Sequence, residues 1–296
     1  WYLGQIREGI VARDGAPQRI RDKGAAIAWN GRRQPAAWLT EQAVIAASDR
    51  AQQLGMATVS VANSQHNGAL AAYLHLATER GLLVSVASSS PSGQQVAPFG
   101  GLTGVFTPDP VAWGIPTGGD PILIDISASI TTANMCARMV REGRVYDRDW
   151  LMDAEGRPTS DPKVIGKGGS LLPTGGLDHG QKGYGMALAV EALTQGLAGY
   201  GRADAPRGTN AAVTVTVWDP VAFGGADGFL RQVGWLKEAC LAATPRDRSR
   251  PVRLPGQAAL ARRAKALREG VALYPGIFEA LVAEAGPRGI PLPQPL

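Results

Sequence analysis

Apolar positions along the chain alternate between two periods. Over residues 40–54 they fall at Val44, Ile45, Ala47, Ala51 and Leu54, a helical spacing closed by Gly55. Residues 56–62 alternate and are β-branched, which predicts a strand. Residues 67–80 read as a small-residue helix ending at Gly81, and 82–87 as a second strand. The stretch 88–104 holds too many Ser, Pro and Gly residues for regular structure. Strands follow over 111–115 and 122–126, and then a helix over 128–142. Residues 145–174 form a loop-rich excursion with turns at Glu155-Gly156-Arg157-Pro158 and Asp161-Pro162. An Ala/Leu helix spans 183–197, and a strand spans 211–218, β-branched at every position from Val213 to Val217. Helices over 226–241, 257–269 and 276–285 lead into a Pro-rich tail. At the other end, 1–11 reads as the end of a helix and a turn, and 20–28 as an extended piece. Strands so unevenly spaced, some joined by loops, favour α+β over a doubly wound sheet.

Composition narrows the picture. The 296 residues are 45% hydrophobic and 19% charged, enough for one large domain or two smaller ones. The net charge of +5 comes from scattered basic residues without interleaved aromatics, so no nucleic-acid partner is expected. Anionic small molecules suit that balance better. Cys136 and Cys240 are too few for a disulfide scaffold and fit a reducing cytoplasm, the expected location. No apolar run reaches membrane-spanning length, so no membrane partner is expected. The chain opens on Trp1 inside an amphipathic pattern, which reads as a fragment or a processed form.

Of three histidines, His66 holds the most informative position, between the strand at 57–62 and the helical run after it. An imidazole at the edge of a sheet suits proton transfer to or from an oxygen; the alternative is a surface or capping histidine. Gln181-Lys182-Gly183-Tyr184-Gly185 opens a helix, where glycines admit a ligand and Lys182 adds charge for a phosphate. It equally describes an ordinary helix entry, and it is neither a Walker loop nor a Rossmann fingerprint. Asp125-Ile126-Ser127 either binds a ribose or a backbone amide, or caps the helix at 128–142. Pro255-Gly256-Gln257 is either a helix start or a loop touching a nucleotide. No cluster has metal-ligand spacing, so no metal is expected. A hydrolase built on Ser64 and His66 lacks an acid partner and a nucleophile elbow.

Seven segments taken in order resemble the type 2 malate/L-lactate dehydrogenase family. They are Asn63-Ser64-Gln65-His66-Asn67-Gly68, Val96-Ala97-Pro98-Phe99-Gly100-Gly101, Asp125-Ile126-Ser127, Gly156-Arg157-Pro158-Thr159, Leu172-Pro173-Thr174-Gly175-Gly176, Lys182-Gly183-Tyr184-Gly185 and Pro255-Gly256-Gln257. The resemblance implies an α+β, non-Rossmann fold: a mainly antiparallel sheet with flanking helices, in a cofactor-binding domain over 26–257. A small helical domain would come from both chain ends, 1–25 and 258–296.

The activity implied is NAD(P)-dependent hydride transfer on a small 2-hydroxy or 2-keto acid or a cyclic imino acid, in a homodimer. His66 matches the family's catalytic acid/base. Ser90, Asp125, Ile126, Ser127 and Lys182 would contact NAD or NADP, with Pro255, Gly256 and Gln257 at its adenosine end. Tyr2 and Ser64 would line the substrate site. The family's N-terminal Ser-His-Gly segment and its carboxylate-binding arginine have no match here, so the chain reads as N-terminally truncated. A diverged, non-catalytic relative is the alternative. Thr107-Pro108-Asp109-Pro110 stands where the family has Gly-Thr-Asn-Pro, which puts a carboxylate in place of an amide and should disfavour a nearby anion.

Overall fold

The computed structural model describes residues 2–206, 208–292 and 294. Trp1 and the last residues of the Pro-rich tail, named in the sequence reading, lie outside the described residues. Among those described, α1 (Tyr2–Arg7) leads to β1 (Gln18–Asp22) and β2 (Ala26–Asn30), so the extended piece at 20–28 is the middle of a hairpin. Helix α2 (Ala36–Leu54) crosses to β3 (Met56–Ser64), and the short α3 (His75–Thr78) precedes β4 (Leu83–Ser89). Next come β5 (Val111–Ile115), β6 (Ile122–Ile126) and α4 (Ala133–Arg141). The middle of the chain adds β7 (Leu151–Met152), β8 (Pro158–Thr159), β9 (Ser170–Leu171), α5 (Gly176–His179) and α6 (Gln181–Glu191). Last are β10 (Ala211–Trp218), α7 (Ala226–Ala242), α8 (Gln257–Glu269) and α9 (Ile277–Ala285).

Seven strands form one sheet in the order β1-β2-β3-β10-β4-β5-β6. Every pair is antiparallel except β2–β3, the pair that α2 connects. A parallel pair needs such a crossover, whereas antiparallel neighbours do not. Strand β10 is central because it is apolar or β-branched on both faces: all its residues but Thr216 and Trp218 are buried. Helix α2 buries Leu39, Ala43, Val44, Ala47 and Ala51 against the sheet. These positions recur every three or four residues, one helical face. Ile45 and Leu54, expected with them, fall outside that stripe and stay exposed.

Four expectations need correction. Residues 67–80 are not one helix but a 3-10 turn, Leu70–Tyr73, followed by α3. The tighter turn lets Leu70, Tyr73, Leu74 and Ala77 all face the core. Helix α4 starts at Ala133, capped by the Thr132 side chain on the Met135 amide, not by Asp125 or Ser127. Residues 128–130 are instead drawn into extended pairing with 172–174. The stretch 145–174 contains the small sheet β8-β7-β9, covering a second core of Val96, Phe106, Tyr146 and Leu151. Helix α6 gives way to a π-turn, Ala192–Gly196, so the helix expected over 183–197 is interrupted.

Candidate active site

The end of β3 decides what the site receives. Asn63 adopts a left-handed backbone (φ 51°), and the pairing of β10 with β3 slips between Ala211 and Val213. That irregularity turns Ser64 inward: it is fully buried and donates to the Ala211 carbonyl at 2.9 Å. Gln65 and Asn67 are also buried, while His66 between them stands exposed. Asn67 anchors the loop. It accepts from Thr40 Oγ1 (3.1 Å), donates to Ser88 Oγ (2.6 Å), and takes the Tyr73 hydroxyl on its carbonyl (2.5 Å). Burial pushes the Tyr73 phenol up to about 12, so it keeps that proton.

Helix α1 brings Tyr2 over the imidazole. Gln5, on the same helix, donates to Thr209 Oγ1 at 2.9 Å and ties α1 to the approach to β10. The Tyr2 hydroxyl lies 2.6 Å from His66 Nδ1. Burial lowers the pKa of His66 and raises that of Tyr2, so near neutrality the pair is an imidazole and a phenol. A phenol donates or accepts at Nδ1, so it can follow either imidazole tautomer.

Both residues open into a cleft of about 1120 Å³. Ser90, Asp125, Ile126 and Ser127 line the same cleft, as do Asn67, Thr107, Thr209 and Asn210. The volume exceeds the roughly 300–1,000 Å³ of a drug-sized site, room for a dinucleotide and a small acid. Asp125, at the end of β6, accepts from the Ala71 amide at 2.9 Å. It therefore caps the 3-10 turn that follows His66, and burial raises its pKa. Ser90 donates to the Asn210 carbonyl (2.7 Å), and its amide donates to Thr107 Oγ1 (3.1 Å).

Ser64, Lys182, Pro255, Gly256 and Gln257 are not brought to the cleft lining. For Ser64 the cause is the inward register just described. Lys182 is exposed at the start of α6, beside Gly183. Gly183 packs so tightly that a Cβ would meet Thr174 N at 2.3 Å and Ala128 O at 2.4 Å. Thr174 in turn donates to the Ser127 carbonyl, which sets this helix start next to the cleft-lining segment. Pro255 accepts from the Leu123 amide at 3.2 Å on the edge strand β6, two residues before Asp125. Gly256 sits there with φ 89° against Leu123.

Asp109 also departs from expectation. It has no exposed surface, and burial beside Glu191 raises its carboxyl to about 8. Burial thus favours the uncharged acid, closer to the amide expected there than the carboxylate the sequence suggests. Thr107 reaches the cleft from the segment that also carries Asp109, whereas Thr209 and Asn210 are not singled out by the sequence. The available signal was the turn-forming Gly208-Thr209-Asn210 directly before a β-branched strand. A second, 410 Å³ hollow beside Trp218, Phe223 and Phe229 has no titratable lining. Among the described residues no His/Cys/Asp/Glu cluster could hold a metal, and no helix is long and apolar enough to cross a membrane.

A family model described as malate/L-lactate dehydrogenase matches residues 1–282. A (2R)-3-sulfolactate dehydrogenase (NADP(+)) of Chromohalobacter salexigens is 32% identical over 86% of this chain and 75% of its own length. A Delta(1)-pyrroline-2-carboxylate/Delta(1)-piperideine-2-carboxylate reductase of Pseudomonas syringae pv. tomato is 33% identical over 67% of this chain, but the match spans only 56% of that enzyme, under two thirds. In three dimensions the crystal structure of a malate dehydrogenase from Entamoeba histolytica superposes with a TM-score of 0.88. That superposition covers 99% of this chain and 85% of the other at 21% identity, a likeness of fold.

Proposed function

The chain belongs to the malate/L-lactate dehydrogenase family, and from that premise we propose that it is an NAD(P)-dependent oxidoreductase using His66 as general acid/base. Its substrate is a small 2-hydroxy or 2-keto acid, or a cyclic imino acid, the classes named for its relatives. The observation that carries this reading is the 2.6 Å contact of Tyr2 with His66 inside a cleft shared with Ser90 and Asp125-Ile126-Ser127.

The residues present fit a dinucleotide. The cleft is large and lined by hydroxyls, and Gly68 and Gly208, with room where a Cβ would sit, let a ligand approach the main chain. Asp125, Ile126, Ser127 and Ser90 hold it there. Lys182 and 255–257 contribute from the ends of the adjoining elements, not from the wall itself. When bound, the nicotinamide supplies or accepts the hydride. In oxidation the hydroxyl O–H breaks and its proton passes to His66 Nε2, while Nδ1–H points to the Tyr2 oxygen. In reduction the imidazolium returns that proton to the carbonyl or imine acceptor. The lowered pKa of His66 favours the neutral form and so favours the base role near neutrality.

The ion pair of Arg7 with Glu284 joins α1 to α9 and supports a helical unit drawn from the two chain ends, with β1 (Gln18–Asp22), inside the expected span 1–25, paired instead in the main sheet. Helix α7 buries no residue and exposes Trp235 and Leu236, which supports a homodimer.

The test is His66→Ala. Turnover on the productive acid should fall by about 10²–10⁴ while NADH and NADPH affinities stay within about twofold. Lost cofactor binding with turnover retained at saturation would refute the assignment.

A further inference from the structure

Behind the cleft segment 90–93 lies a buried charged cluster that the proton chemistry does not use. Asp109 has no exposed surface, and its backbone is held at φ 43°. Thr107 Oγ1 donates to Asp109 Oδ1 at 2.5 Å, while the buried Oδ2 has no N–H or hydroxyl donor and the carboxyl instead shares a hydrogen bond with Glu191. The charged groups that face it are Glu191 at the end of α6 and Arg202 in the turn Arg202–Asp204. Arg202 grips both sides. Its Nη2 and Nε donate to Glu191 Oε1 at 2.6 and 3.1 Å, and its Nη1 donates to the Gly93 and Pro91 carbonyls at 2.5 and 3.4 Å. The other end of the same segment is held through Thr107, whose hydroxyl accepts from the Ser90 amide.

Two carboxyl groups and one guanidinium in a buried site are neutral only if one proton is retained. Asp109, with no exposed surface against 15% for the Glu191 side chain, is the group that keeps it. The hydrogen-bond chain Ser90 N–H to Thr107 O–H to Asp109 then polarises in one direction.

We propose that Asp109 is a positioning residue: through Thr107 on one side and the Glu191–Arg202 pair on the other, it holds segment 90–93 as a fixed wall of the cleft against the bound dinucleotide. The proposal rests on reading this cleft as the dinucleotide site. Loss of the Asp109 proton would set a second negative charge beside Glu191, compete for Arg202 and free the Gly93 and Pro91 carbonyls. An asparagine here would keep the neutral acceptor and donor without titrating.

The experiment is hydrogen exchange of the Ser90, Ser92 and Gly93 amides, corrected for intrinsic rates, at about pH 6.5 and about pH 9, with NADH affinity measured on the same samples. The unmodified chain should be protected at the lower pH and lose about tenfold of that protection at the higher. Asp109→Asn should be protected at both, and Asp109→Ala at neither. Thr107→Val, which keeps the carboxyl but breaks its link to Ser90, should also lose protection at both, and it serves if Asp109→Ala does not fold. NADH affinity should weaken by about tenfold wherever protection is lost. Protection that is indifferent to pH and to all three substitutions, with NADH still binding, overturns the positioning role alone. The expected protection pattern without NADH binding to any of the proteins supports the positioning of the segment and overturns the reading of the cleft.

Discussion

The two walls of the cleft are built on opposite principles. At the His66 corner the proposed acid/base is exposed and rests on the phenol of Tyr2, a residue of a six-residue helix. At the Ser90 wall the cleft surface is backed by buried Asp109 and by the part-buried pair Glu191 and Arg202, and hydrogen bonds tie both ends of the segment to them. A proton-transfer group must change charge in each cycle, and an imidazole that keeps some solvent contact can do so even though partial desolvation lowers its pKa. A wall that orients a ligand must not move, and buried charge-assisted bonds give it rigidity. Substitutions at the corner should therefore change rates and leave stability alone, and substitutions behind the wall should do the reverse.

His66→Ala gives the largest expected effect, wholly on rate. Next is Arg202→Met, which strands Glu191 beside Asp109. Both partners keep some exposure, 21% and 15%, so the cost should be about 2 kcal/mol, less than for a fully buried pair. That corresponds to a loss of roughly 4–8 °C in Tm by calorimetry, with the pH dependence of turnover unchanged. A loss of rate without a loss of Tm would break the comparison.

Asp109→Asn is smaller and changes sign of interest with pH. The native carboxyl titrates at about 8, well above its ordinary value of 3.8, so folding binds a proton. Its contribution is complete below the ordinary carboxylate range, fades as pH rises towards about 8, and is then flat. Asparagine does not titrate there. The Tm of Asp109→Asn relative to the unmodified chain should therefore climb from about pH 4 to about pH 8, read from melts across that range.

The smallest change is Tyr2→Phe. Losing one hydrogen bond to Nδ1 should slow turnover by about fivefold and leave Tm unchanged. Oxidation requires neutral His66, so its rate should fall as pH drops through a value below the ordinary histidine range; reduction should fall as pH rises through it. Profiles of kcat in both directions check the sign.

Legibility followed the same division. The strands at 111–115, 122–126 and 211–218 and the helix at 257–269 are legible to the residue, because their patterns are local and flanked by the turn or cap residues Pro110, Pro116, Pro121, Asn210, Asp219, Gly256 and Gly270. The stretches 67–80 and 128–142 were misread because distant partners set their starts. Asp125 caps the turn at Leu70–Tyr73 from another strand, and Leu172 and Thr174 hold 128–130 extended. Motif order pointed to His66, Tyr2, Ser90 and Asp125-Ile126-Ser127, all of which line one cleft. Ser64 in the same motif points away, since a slip in strand pairing is invisible in the alternation of side chains. Arg202 carried no signal at all, being one basic residue in a Gly/Ala/Asp stretch. Asp109 looked like a charge and is a buried acid, because its meaning depends on burial and on Glu191.

The proposed function stands on this cleft as the dinucleotide site. The direct measurement is a titration with NADH and NADPH that follows energy transfer from tryptophan to nicotinamide, in the unmodified chain and in Ile126→Glu. Ile126 is 46% exposed on the cleft wall, so a glutamate there sets a charge against the phosphates without disturbing the core. Saturable binding that weakens by tenfold or more in Ile126→Glu, at unchanged Tm, is the predicted result. Saturation that is equal in both proteins would place the dinucleotide elsewhere and contradict the account.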